Sequence, residues 1–271
     1  MIKIIVFGSS GMLGNYISSY FSEYHDVIKI DRNIFDALNA TIENLIELLE
    51  KYSLSNVQFY VINCIGIIPQ RISLDETKKY IKINTLFPHQ LAFCCNYLNY
   101  KMIHITTDCV FSGSKGNYNE NDVHDETDIY GVTKSLGEPN NCCVIRTSII
   151  GREKYNKKSL MEWIISQNDK NINGYDNHYW NGVTCLQLAK IIHFMINNNI
   201  YWNGVKHIFS PEIVSKYQLI EIIKEIYGLN INITKLETYK VNKTLASKYE
   251  LFYNIPSLVN QIKDLKEFNL R

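Results

Sequence analysis

Short apolar runs alternate along the chain with stretches whose apolar residues recur every three to four positions. The run "IKIIVFG" (2–8) predicts a strand, and residues 11–22 predict the helix that follows. "DVIKID" (26–31) predicts a second strand, and "TIENLIELLEKY" (41–52) a helix with apolar positions at 42, 45, 46, 48 and 49. "QFYVINCIG" (58–66) reads as a buried strand. A helix from about 76 to 98 carries Pro88, which is expected to kink or break it. "MIHITT" (102–107), a helix around Tyr130, and the strand "CCVIRTSII" (142–150) continue the alternation. Strand and helix in turn argue for a doubly wound parallel sheet of Rossmann type, covered on both faces.

The rhythm changes after Gly151. A helix near 157–168 precedes a polar, aromatic loop, "NINGYDNHYWNGVT" (171–184). A helix over 185–197 and the strand "VKHIFS" (205–210) are expected to return to the main sheet. Ser215 is placed to cap the amphipathic helix "KYQLIEIIKEIYG". A strand in "NINITKLE" and a last helix after Pro256 finish the pattern. The expected organisation is a nucleotide-binding core over 1–150, rejoined by 185–210, and a smaller C-terminal α/β lobe from 151–184 and 211–271.

The chain has 271 residues, 46% hydrophobic and 20% charged, with a formal net charge of +1. These values suit an ordinary globular protein and carry no nucleic-acid or membrane footprint. No segment reaches the roughly 20 apolar residues of a membrane span. The N-terminal run is broken by Lys3 and enters a Gly-rich turn, so it reads as a strand rather than a signal peptide. The seven cysteines include no paired Cys-x-x-Cys spacing, which argues for free thiols in a reducing cytoplasm and against a metal site.

Two local motifs carry chemistry. Gly8-Ser-Ser-Gly11-Met-Leu-Gly14 lies between the first strand and the first helix. There glycines let the backbone turn and approach a pyrophosphate, and the amides from Ser10 through Met12 and Leu13 face it with the helix dipole. Asp31 follows 17 residues after Gly14, the spacing of a ribose-binding carboxylate. Asp31 favours NADH, whereas Arg32 offers a partner for the 2′-phosphate of NADPH. The second motif, "DIYGVTKSLG" (128–137), puts Tyr130 and Lys134 one helical turn apart. A phenol can give the proton that ketone reduction needs, and a nearby ammonium is expected to lower its pKa. Thr107 at a strand end can polarise the substrate oxygen.

These residues give the chain a resemblance to the extended short-chain dehydrogenase/reductase family, and within it to nucleotide-sugar reductases of the dTDP-4-dehydrorhamnose reductase type. "FGSSGMLG", "VINCIG", "KINTLFPHQLA", "HITTDCVFSG", "YGVTKSLGE" and "VIRTSIIG" occur in that family's order. The resemblance implies catalytic roles for Thr107, Tyr130 and Lys134. It implies cofactor contacts at Gly8, Gly11 and Gly14, at Asn63, Cys64, Ile65 and Gly66, at Asn84, and at Tyr130 and Lys134 themselves. Asp108 and Cys109 belong to the substrate side. Cys109 stands where the family usually has tyrosine, and Ile149 where it often has an aromatic residue.

Arg146 and Arg152 flank a strand end, where each could meet a sugar-nucleotide diphosphate or pair with an internal acid. His178 and Trp180, in the aromatic loop, are candidates to close over substrate. The implied activity is NAD(P)H-dependent reduction of the C4 ketone of a nucleotide-linked 4-keto-6-deoxy sugar, dTDP- or UDP-linked. Two alternatives stand beside it: a UDP-linked 2-acetamido sugar as substrate, and a non-catalytic regulatory subunit of the same fold. Oligomeric state is not written in the sequence, and a homodimer is compatible with it.

Overall fold

The computed structural model of the chain describes residues 1–69, 73, 76–155 and 157–270. The elements run β1 (Ile2–Phe7), α1 (Met12–Phe21), β2 (Asp26–Ile30), α2 (Ile42–Glu50), β3 (Gln58–Asn63), α3 (Thr77–Tyr80), α4 (Phe87–Tyr97), β4 (Lys101–Thr107), α5 (Ile129–Leu136) and β5 (Cys143–Thr147). They continue with β6 (Ile149–Ile150), α6 (Leu160–Ile165), β7 (Asn171–Tyr175), β8 (His178–Trp180), β9 (Val183–Thr184), α7 (Cys185–Asn197), β10 (Gly204–His207), β11 (Val214–Ser215), α8 (Lys216–Tyr227), β12 (Asn232–Leu236), β13 (Val241–Asn242) and α9 (Leu258–Glu267).

Six strands form one parallel sheet in the order β10-β5-β4-β3-β1-β2. From β1 the chain moves to one side for β2 and then to the other for β3. That reversal opens a crevice at the carboxyl ends of β1 and β3, where ligands of doubly wound sheets bind. The period-two alternation of the strands feeds two cores. Ile4, Val6, Ile62 and Ile145 pack against α1 and α7, while Ile5, Phe7, Val61 and Val144 face α2 and α4. β10 joins the sheet beside β5.

Three expectations need correction. Pro88 does not break its helix: α3 passes through a π-helical stretch, Ile81–Leu86, directly into α4, and the irregular turn ahead of Pro88 is where the helix accommodates its missing amide. The strand expected over 142–150 stops at Thr147, and β6 pairs instead with β9. The expected aromatic loop 171–184 is three strands, because partners arrive from far along the chain. β12 pairs with β7, β13 and β11 with β8.

Arg146 on β5 is a structural residue. Its side chain is 2% exposed and forks onto Glu138, Nε to Oε1 at 3.0 Å and Nη2 to Oε2 at 2.6 Å. The remaining donors meet His207 Nε2 on β10 and His124 Nε2, each at 2.7 Å. Burial, then the guanidinium, hold the His207 imidazole down at about 4, so it stays neutral and accepts from Arg146. The network ties the end of α5 to the sheet. Arg146→Met is expected to leave Glu138 buried without its cation and to cost about 3–5 kcal/mol of unfolding free energy. Urea melts read it directly, and a midpoint equal to that of the wild type would contradict the assignment.

Candidate active site

α1 begins without a side-chain cap at Gly11, whereas Thr41, Asp128, Ser159, Thr184, Ser215 and Ser257 cap α2, α5, α6, α7, α8 and α9. The amides of its first turn are thus left for an anion. The turn ahead of it is tight. Gly8 is left-handed at φ +76°, and a Cβ on Gly14 would lie 2.1 Å from the Gly8 carbonyl oxygen. The Gly8 and Ser9 amides both donate to Ile30 O, at 2.9 and 3.2 Å, which anchors the turn to the end of β2. This backbone cradle fits the pyrophosphate of a dinucleotide.

A cavity of about 330 Å³ opens from this turn toward the C-terminal lobe. Gly11, Met12 and Leu13 line its near end, Cys64, Ile65 and Gly66 one wall, and Thr107, Asp108, Cys109, Tyr130 and Lys134 its middle. The far end is built by Ser148, Ile149, Glu153, Lys158, Ser159 and Leu160. Of these, only Ile149 stood out in the sequence. The residues from Glu153 to Leu160 carry no motif; the buried Glu153 carboxylate accepts the Lys158 and Ser159 amides, at 2.5 and 3.1 Å.

α5 can present its side chains here because it sits hard against its neighbours. A Cβ on Gly131 would come within 2.5 Å of Cys109 O, so the glycine beside Tyr130 permits the close approach. Asp128 caps the helix by accepting the Gly131 amide at 2.6 Å. Lys134 is 5% exposed, and its Nζ donates to the Ile105 carbonyl at 3.2 Å. Burial brings its ammonium down to about 8, opposed by Glu138 and then Cys64. Tyr130 behaves differently from expectation. Burial pushes its phenol well up, the neighbouring Cys109 adds to this, and the hydrogen bond from Thr107 pulls the other way. Desolvation therefore outweighs any lowering by Lys134, and the phenol holds its proton.

Other candidates sit behind the cavity rather than in it. Asn63, expected to touch cofactor, is fully buried: its Oδ1 accepts from Ile65 N at 3.0 Å and its Nδ2 lies 3.0 Å from His104 Nδ1. Asn84, in the π-helical stretch, clamps Ile67 through both backbone groups, at 2.9 and 3.0 Å. Both residues hold the wall 64–67 in place. Gly8, Ser10 and Gly14 shape the turn without lining the cavity. Asp31 Oδ1 accepts the amides of Asn33 and Ile34, at 2.9 and 3.1 Å, while Arg32 is exposed with only a 3.4 Å pairing to Asp36.

The remaining substrate-side candidates lie outside the cavity lining. Arg152 is paired with Glu162 at 2.6 Å. His178 stacks on Tyr175 with ring centroids 4.4 Å apart and bonds to Thr238, away from the cavity lining. Trp180 is 3% exposed and gives its indole N–H to Ser148 Oγ at 2.8 Å, so it supports the wall from behind.

The doubly wound parallel sheet thus brings the Gly-rich turn, the uncapped start of α1 and the Tyr130/Lys134 pair to one cleft. The chain belongs to the RmlD substrate binding domain family, whose pattern matches residues 2–245. It is 29% identical over 140 residues to a dTDP-4-dehydrorhamnose reductase of Mycolicibacterium smegmatis, a match covering 50% of this chain and 40% of that protein. Among solved structures, a dTDP-4-dehydrorhamnose reductase of Bacillus anthracis in complex with NADP superposes with a TM-score of 0.82 at 19% identity, over 97% of this chain and 98% of the other. One from Clostridium acetobutylicum gives 0.78 at 19% identity, over 98% of both chains. At such identity these two likenesses concern the fold.

The lowered Lys134 ammonium has a consequence for stability. Between about pH 8 and the unfolded value near 10.5 the unfolded chain binds more protons than the folded one at this site, so the site's contribution to stability rises with pH across that window. In Lys134→Met this contribution should vanish. Urea unfolding of both proteins at pH 7.5 and pH 10 measures the difference, and parallel pH dependences would show that Lys134 is not desolvated as described.

Proposed function

We propose that this protein is an NAD(P)H-dependent reductase acting on the C4 ketone of a nucleotide-linked 4-keto-6-deoxy sugar, with a dTDP-linked rhamnose precursor as the first substrate to try. The observation that carries this reading is the convergence of Thr107, Tyr130 and Lys134 on one cavity that begins at the Gly-rich turn. Family membership, the Mycolicibacterium smegmatis reductase and the NADP complex of the Bacillus anthracis reductase support it.

A nicotinamide cofactor held by the turn of Gly8–Gly14 would supply the hydride. The protein's own groups do the rest. Thr107, whose single hydroxyl proton rests on Asp108 Oδ1, turns it to the ketone oxygen as charge builds there. Tyr130, kept protonated by burial, gives that oxygen its proton. One Lys134 proton is committed to the Ile105 carbonyl, and the other two are left for the cofactor ribose. Arg32 is weakly engaged and can meet a 2′-phosphate, which is the ground for preferring NADPH, while Asp31 takes two amides on Oδ1 and keeps Oδ2 for the ribose hydroxyls of NADH.

Cys109 and Ile149 line the cavity as small groups, which favours a second substrate reading. The room they leave suits a bulkier ring substituent, such as the acetamido group of a UDP-linked 2-acetamido-6-deoxy-4-keto sugar. No helix among the described residues is long and apolar enough to cross a membrane. A cytoplasmic location, beside the nucleotide-sugar pool, accords with the reading.

Oxidation of NADPH in the presence of a 4-keto-6-deoxy sugar nucleotide tests the assignment. Tyr130→Phe keeps the ring and should lower kcat by ~10²–10⁴-fold while cofactor affinity persists. Thr107→Val should also fall in kcat, whereas Lys134→Met should lose cofactor affinity as well. Wild-type turnover by Tyr130→Phe would remove the phenol from the chemistry.

A further inference from the structure

We propose that Lys216, the first residue of α8, is the receptor for the diphosphate of the nucleotide-sugar substrate, and that Trp180 is the platform that positions it. The proposal rests on the reductase reading above and deepens it by assigning a hold on the part of the substrate remote from the ketone.

Four observations converge on Lys216. Its ammonium stands 5.2 Å from the centroid of the Trp180 ring, within cation–π range. The same indole is buried and locked by its bond to Ser148 Oγ, so the platform is fixed against the cavity wall. The Lys216 charge is felt by Asp108 and Cys109, which line the cavity beside Thr107. Finally, among the described residues Lys216 forms no ion pair, while nearby Lys243, Lys235 and Arg152 are paired with Glu126, Asp176 and Glu162.

Lys216 stands behind the cavity wall, one residue removed from it through Trp180 and Ser148, and a partly buried ammonium without an ion pair there is unfavourable unless a counter-charge arrives. Asp108 does not fill that role. It is 5% exposed, burial raises its carboxyl above the usual range, and its Oδ1 already takes the Thr107 hydroxyl at 3.1 Å. The positive end of α8 adds to the attraction for an anion at this point. The position also suits the substrate's shape. In the reductase reading the ketone would lie against Tyr130 and Thr107 and the cofactor pyrophosphate at Gly11–Leu13, so the substrate's own diphosphate would need a cation on the lobe side.

Calorimetric titration with dTDP and UDP, together with steady-state kinetics on a 4-keto sugar nucleotide, tests this in wild type, Lys216→Ala and Lys216→Arg. Lys216→Ala should weaken diphosphate binding and raise KM by about 10- to 100-fold, the worth of one charge-assisted hydrogen bond. The loss should fall on KM rather than kcat, NADPH affinity should hold, and Lys216→Arg should recover most of it. Trp180→Leu should show a smaller loss of the same kind. Wild-type diphosphate affinity in a folded Lys216→Ala overturns the proposal. A wild-type protein that binds the diphosphates through Lys216 but reduces no 4-keto sugar overturns the reductase reading alone. One that binds neither diphosphate overturns the receptor itself.

Discussion

The Ile105 carbonyl at the end of β4 holds the Lys134 ammonium at 3.2 Å in a site almost closed to water. Much of the cleft's geometry is subordinate to that contact. It requires α5 to lie close to the carboxyl ends of the strands, and Gly131 allows this by removing a side chain that Cys109 O would meet. It also requires α5 to be tied down at both ends. Asp128 does so at the start, and the Glu138–Arg146–His207 network does so past the end. With the helix fixed, Tyr130 lines the same cavity as Thr107 and the Gly-rich turn.

The parallel sheet explains why these groups meet at all. Cys64–Gly66, Thr107 and Ser148 follow the ends of β3, β4 and β5, so one edge of the sheet delivers residues separated by some eighty positions. The second lobe closes the arrangement. β8 brings Trp180 beneath Ser148, and α8 brings Lys216 over Trp180. Charge is handled asymmetrically across the cleft. The cofactor end relies on backbone amides and the buried Lys134, whereas on the lobe side Lys216 stands over Trp180 without an ion pair among the described residues.

What could be read from the sequence was what local spacing encodes. The turn Gly8–Gly14, the pair Tyr130 and Lys134, and the strand–helix rhythm each depend on neighbours within a few residues. Arg146 was ambiguous because its partners, Glu138, His124 and His207, converge only in the folded chain. The strands within 171–184 were invisible for the same reason: β7 finds its partner in β12, about sixty residues on. The π-helical stretch that aims Asn84 at Ile67 has the apolar spacing of an ordinary helix. The upward shift of Tyr130 follows from burial, a quantity the motif does not carry.

The central claim is that this cleft delivers a hydride from a nicotinamide to C4 of a nucleotide-linked keto sugar. Its most direct test is isotope transfer. NADPH carrying deuterium at C4 of its nicotinamide, on the face from which the hydride leaves, is incubated with the protein and a 4-keto-6-deoxy sugar nucleotide, and the product is examined by NMR and mass spectrometry. The account predicts a product with one deuterium at sugar C4 and a newly formed alcohol there. A product without deuterium at C4, or no product when both cofactor faces and both dTDP- and UDP-linked substrates have been supplied, would contradict it.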